Sequence, residues 1–227
     1  MAGVVEPEGR RRVRPVGLAI GVLTTIVLVF VVRRLATDVP HVLAGTVPDD
    51  DLAEKYVAHP WLAYGHIVPG VVYLLGAPFQ LSHRFRSRHY VLHRRVGRVL
   101  LGCALLSGVL SVVLGVVFAW GRGAETSATA VFGTWFVVCL VLAFRAIRGG
   151  RVAHHRRWMV RAFAVGLGVA SIRLWVGVFT GIQLGLLGMD GDTMPLRATF
   201  GVAFWLGLSM HVLFAEWWLR RTPDLDG

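Results

Sequence analysis

Three strings that would name a chemistry are missing from this chain: HExxH, GxSxG and GxxxxGK[ST] do not occur in its 227 residues. Their absence removes the motif-based cases for a zinc metalloprotease, an α/β-hydrolase nucleophile and a phosphate-binding loop. Charge is scarce as well, at 16% of residues, outside ordinary soluble usage of about 25%. Cysteine is nearly absent. Cys103 and Cys139 both fall in apolar runs, where they read as small buried hydrophobes rather than a disulfide or metal set. Acidic residues number 13 against 24 Lys and Arg. That imbalance raises the question of nucleic acid, and the answer depends on where the charges lie.

What the chain has in quantity is apolar sequence, 55% of it. Long runs recur at 16–32, 61–79, 99–120, 127–144, 162–188 and 198–219. Each approaches or exceeds the roughly 20 residues that cross about 30 Å of hydrocarbon. The fold class expected is an all-α integral membrane protein, a bundle of six transmembrane helices. The first run lacks a small-x-small cleavage site and is followed directly by Arg33-Arg34, so it reads as an uncleaved anchor.

Arginine clusters at 10–14, 84–98, 145–161 and 220–221, while Asp38, Asp49, Asp50, Asp51, Glu54, Glu125, Asp190 and Asp192 occupy the alternate connections. Arginine in short loops marks the cytoplasmic side, so both termini are expected inside. Arg33, Arg34, Lys55, Arg122 and Arg197 break the pattern and are outnumbered; long side chains there can snorkel. The partner implied is the bilayer with its anionic headgroups, and no nucleic acid is required. Residues 1–15 read as a disordered basic cytoplasmic tail, with Pro15 opening the first helix. Residues 16–58 supply the first span and an outer acidic loop (36–58, with a short helix capped at Asp49–Asp51). Residues 59–221 form the membrane core, and 222–227 a short cytoplasmic tail.

Two basic loops share a string. "LHRRVGRVL" (92–100) and "HHRRWMVRAF" (154–163) both place His-Arg-Arg where the chain re-enters the membrane, with His93 and His155 62 positions apart. The pattern suggests a four-helix core of two similar hairpins, 61–120 and 127–188, that brings the two segments together on the inner face. Arg forks suit phosphates and haem propionates. His93, Arg94, Arg98, His155, Arg156 and Arg161 are therefore candidate cofactor-binding residues, with Gln80 at the end of the second span beside them. His93 and His155 are the candidate haem ligands. His83, His89 and His154 read as headgroup-facing.

Inside the membrane, "GHIVPG" (65–70) sets His66 beside Pro69, which frees the carbonyl of Gly65 and can bend the helix. Counting 1.5 Å per residue puts His66 about 8 Å below the outer boundary and Arg173 about 22 Å above the inner one, in one layer. An Arg at that depth costs about 2.5–3.5 kcal/mol on insertion scales and needs a partner. His66 and Arg173 are expected to face the interior together, with Arg173 contacting an anion or cofactor. His211 lies too far inward to pair with His66 across a haem. Glu216 is expected to pair with Arg220 one turn on.

"GHIVPGVVYLLGAPFQ", "LHRRVGR", "HHRRWMVR", "SIRLW" and "AEWWLR", in this order over about 59–221, resemble the family called domain of unknown function 2306. The resemblance implies a multi-pass bacterial membrane protein, hence a plasma-membrane location. It also implies a shared polar set: His66, Gln80, His93, Arg94, Gly97, Arg98, His155, Arg156, Arg161 and Arg173. It carries no established activity. The family pattern has Ser-Tyr where Ala162-Phe163 stand here, which argues against a hydroxyl role. It has Asn at the position of His211, which makes His211 a poor candidate ligand. The leading functional expectation is a redox or cofactor-binding protein holding haem b or a quinone. The alternatives are a non-redox transporter or lipid or small-anion binder using Arg173 and His66, and an accessory subunit or homo-oligomer docking through its basic face.

Overall fold

The computed structural model describes residues 9–49, 51–190 and 195–222, with side chains from Pro15 onward. Eight helices make up these residues: α1 (Gly9–Ala44), α2 (Asp51–Ala58), α3 (Pro60–Leu81), α4 (His83–Arg88), α5 (Tyr90–Val117), α6 (Arg122–Arg148), α7 (Val152–Gly185) and α8 (Leu196–Arg221). No strand occurs among them. Six of these helices are long and apolar enough to cross a membrane, α1 by its stretch from Pro15. In lipid a helix satisfies its own backbone groups, so unbroken apolar runs have little other choice.

Helix ends depart from the hydropathy boundaries. α1 begins at Gly9 and continues to Ala44, so Pro15 lies inside it and the connection to α2 starts at Gly45 rather than residue 36. The tail expected over 1–15 is thus helical from Gly9; residues 1–8 lie outside the described residues, as do 223–227. The short acidic helix exists as α2, but Asp50, a proposed cap, also lies outside them. The basic loop after α3 contains α4, capped by Ser82, whose hydroxyl accepts the Phe85 N–H at 3.4 Å. α5 and α7 begin earlier than their apolar runs. At 34 residues, α7 is about 51 Å long, more than a hydrocarbon core needs, so its ends project beyond it. α3 runs unbroken through Pro69 and Pro78.

α3 packs on α5, α5 on α6 and α6 on α7, and α3 touches α7 to close the ring. α8 lies against α7 and α6. α1 is held more loosely, against α7, α3 and α2, and its apolar stretch has no residue buried in the bundle. Small residues line the seams. Ala63, Ala104, Ala128, Ala143, Ala162, Ala170 and Ala203 are fully buried. A Cβ at Gly207 in α8 would meet the Ile172 backbone nitrogen of α7 at 3.0 Å. Without a hydrophobic drive between helices in lipid, close backbone approach supplies the packing energy. Tyr73, Phe132, Phe136, Leu140 and Phe163 fill the centre.

Candidate functional site

Polar side chains gather at the two ends of the bundle. At the arginine-rich end, Ser82 separates α3 from α4, which touches both α3 and α5 and holds Arg86 half-buried. Gln80, in the last turn of α3, faces α5 at Gly97. A Cβ there would sit 3.3 Å from Gln80 Oε1, so the glycine makes room for the amide. His93 lies one turn before Gly97, on the same face of α5. His155, in the first turn of α7, sets its Nδ1 3.0 Å from the Ala143 carbonyl of α6, as a donating N–H does.

Arg86 lies within electrostatic reach of His93, His155 and Arg156, and the two histidines are within reach of each other. Burial first, and then the Arg156 charge, push the Arg86 guanidinium below its ordinary value. Several buried atoms here have no partner among the described residues: Gln80 Oε1 and Nε2, His93 Nδ1 and Arg156 Nε. An unpaired buried polar group costs about 1–3 kcal/mol. Such groups in a native structure call for a partner, water included.

The other arginines nominated from the sequence go elsewhere. Arg94 and Arg98 are exposed on the outward face of α5, Arg94 lying over the Tyr90 ring at 5.8 Å. Arg161 is engaged by Glu216 of α8 in a forked pair, Nε–Oε1 2.5 Å and Nη2–Oε2 2.9 Å, and stacks on Trp158. Glu216 therefore pairs across helices rather than with Arg220, because two-point guanidinium geometry outcompetes a flexible contact one turn away. His154 lines a shallow groove with Arg151 and Arg161 on the outside of α7.

At the acidic end, His66 does not bond Arg173. Its Nδ1 lies 2.9 Å from the Ser107 carbonyl and 3.0 Å from Ser107 Oγ, and that hydroxyl donates to the His66 carbonyl at 2.9 Å. The two helices are clasped there, and Gly70 leaves the room: a Cβ on it would stand 2.8 Å from Ser107 Oγ. Arg173 donates to the Val169 carbonyl of its own helix at 3.3 Å and lies over the Phe30 ring of α1 at 5.2 Å. It remains within electrostatic reach of His66, without the direct bond. α7 and α8 carry a second histidine–serine contact, Ser171 Oγ to His211 Nδ1 at 3.2 Å.

The charged residues here entered the sequence reading only as markers of the two membrane sides. Asp38 of α1 is fully buried, paired with Arg34 at 2.7 Å and accepting the Tyr64 hydroxyl at 2.9 Å. Arg34 covers the Tyr56 ring at 4.3 Å. Lys55 of α2 meets Glu125 of α6 at 3.0 Å, and Asp51 bonds Arg197 of α8. Arg34, Lys55 and Arg197 thus stitch this end rather than snorkel. Cys103 and Cys139 are free thiols, and no group of three or more His, Cys, Asp or Glu able to hold a metal ion occurs among the described residues.

A profile of the family described as predicted membrane protein (DUF2306) matches residues 63–219. The chain belongs to that family. The match takes in both histidine–serine contacts, the Gln80–His93–His155–Arg156 cluster, Arg173 and the Arg161–Glu216 fork. α1 and α2, with Arg34, Asp38 and Tyr56, precede it. Comparison with curated proteins and with solved structures returned no match.

Proposed function

We propose that this is a bacterial plasma-membrane protein, both termini cytoplasmic, that binds a small anion or the anionic head of a lipid-like molecule at its arginine-rich end. The observation that carries this reading is the cluster of Gln80, Arg86, His93, His155 and Arg156, with four buried polar atoms unpartnered among the described residues. Arg86 and Arg156 lie within electrostatic reach of each other, and the one described carboxylate of that end, Glu216, is taken by Arg161. Two guanidiniums without a carboxylate favour a bound anion, which gains charge-assisted bonds from both. His93 Nδ1 and the Gln80 amide add donors that orient it. The hairpins α3–α5 and α6–α7 would then be two copies of one unit, each delivering a His-Arg-Arg segment to the shared site.

A second reading, quinone or haem b binding, is favoured by two details. A glutamine amide and a ring nitrogen are suitable partners for a quinone carbonyl. The Nδ1 contact of His155 with Ala143 also leaves Nε2 as the lone-pair nitrogen, the form that ligates iron.

The test is a thermal-stability titration of the detergent-purified protein with sodium phosphate and with phosphatidylglycerol. The proposal expects stabilisation by at least one, lost when Arg86→Gln and Arg156→Gln are combined. Equal stabilisation of the double variant overturns it. A Soret band or a co-extracted quinone in the purified wild type, lost in His93→Ala or His155→Ala, moves the assignment to the second reading.

A further inference from the structure

We infer that a second anion site lies at the opposite, acidic end, beneath α1, formed by Arg34, Tyr56 and Arg173 and closed on one side by Phe30. Its occupant is a monoanion, a carboxylate or a phosphate ester. No residue of the arginine-rich cluster takes part in this site.

Arg34 and Arg173 lie within electrostatic reach of each other and Tyr56 is within reach of Arg173. Phe30 and Arg34 are one turn apart on α1, so they share a face. Arg173 reaches Phe30 from α7, and the Arg34 guanidinium covers Tyr56 of α2. Three helices therefore bring two guanidiniums and a phenol to one strip of α1.

Asp38 cannot neutralise both cations. Its Oδ2 already accepts Arg34 Nε and the Tyr64 hydroxyl, and its Oδ1 accepts the Thr37 hydroxyl at 3.2 Å. The nearby Lys55 and Glu125 are both buried and satisfy each other. Arg173 is left with a carbonyl of its own helix at 3.3 Å. Arg34 Nη2 is buried with no partner among the described residues. Arg173 has no carboxylate partner among the described residues, and Arg34, within its electrostatic reach, keeps an unused guanidinium nitrogen; a negative group between them would gain charge-assisted bonds from both.

The site opens toward lipid. The apolar stretch of α1 has no residue buried in the bundle, and Val29 and Val32 on either side of Phe30 are exposed. An acyl chain attached to the anion would follow the seam between α1 and α7 into the hydrocarbon. A free carboxylate or phosphate would use the same nitrogens without that contact.

The test is carried out in the background of combined Arg86→Gln and Arg156→Gln, so that the arginine-rich cluster contributes nothing. Protein in neutral detergent is titrated with oleate, and separately with acetate and inorganic phosphate, and intrinsic tryptophan fluorescence is followed. Saturable binding of oleate alone assigns a lipid source; saturable binding of acetate or phosphate assigns a free anion, and either supports the site. Arg173→Leu is expected to weaken binding at least tenfold. Arg34→Lys keeps the pair with Asp38 but removes the second nitrogen and should weaken it by a similar factor while the protein elutes unchanged on gel filtration. Absence of binding by all three probes, or unchanged affinity in Arg173→Leu, overturns the inference. Because the assay background lacks the other cluster's arginines, the outcome does not depend on that cluster's function.

Discussion

Gly70→Ala tests the clasp between α3 and α5. The added methyl would stand 2.8 Å from Ser107 Oγ and 3.8 Å from Ser107 Cβ. The first distance is impossible and the second is ordinary contact, so the clash is with the hydroxyl alone. To relieve it, Ser107 must leave its place and give up both the bond to the His66 carbonyl and the contact with His66 Nδ1. Interhelical hydrogen bonds in membranes contribute about 0.6 kcal/mol each on average and up to about 1.7, and forcing a methyl into a packed seam costs about 1–3 kcal/mol. Together these give a loss of about 2–4 kcal/mol. Ser107→Ala alone removes the hydroxyl without a clash and should cost about 1 kcal/mol. In that background Gly70→Ala meets only the Cβ at 3.8 Å and should cost close to nothing, so the pair is strongly non-additive. Thermal unfolding in detergent, followed by tryptophan fluorescence for the wild type, both single variants and the double variant, measures the coupling. Additive losses, or a Gly70→Ala protein as stable as the wild type, would refute the reasoning.

The Arg161–Glu216 fork should show a coupling of about 1 kcal/mol in a double-mutant cycle with Arg161→Gln and Glu216→Gln, reduced for partial exposure and weakened in high salt; zero coupling would mean the helices are held there by packing alone. Gly97→Leu should displace the Gln80 amide, because even a Cβ comes to 3.3 Å of Oε1. It is expected to abolish phosphate or phosphatidylglycerol stabilisation while leaving oleate binding at the α1 site intact. For topology, Asp49→Cys should react with an impermeant maleimide from outside intact cells and Ser87→Cys only after lysis, and the reverse pattern would invert the assignment.

Membrane location was legible because it rests on run length and on the alternation of arginine-rich with acid-rich connections, both of which survive without tertiary information. The reach of α1 was not. Residues 33–44 carry Arg33, Arg34, Asp38, Pro40 and His41 and look like a loop by hydropathy, yet the Arg34–Asp38 pair one turn apart and the Tyr64 bond from α3 hold them helical. That His93, His155 and Arg156 lie at one end of the bundle followed from the two His-Arg-Arg strings, which mark equivalent re-entry points. Arg86 could not be separated from its basic neighbours, because only the α4 turn selects it. Ser107 was invisible for the opposite reason: a serine in an apolar run resembles any small packing residue until its partner helix is known. Likewise Arg161 and Glu216 are 55 positions apart, and no local pattern pairs them. His66 was assigned the wrong partner, Arg173 in place of Ser107, since counting residues along a helix does not give the direction a side chain faces.

The most direct measurement for the central claim is mass spectrometry of small molecules released by denaturing the purified wild-type protein, compared with the protein carrying Arg86→Gln and Arg156→Gln together. About one anionic species per chain more is expected in the wild type than in the double variant. An identical complement in both proteins would contradict it.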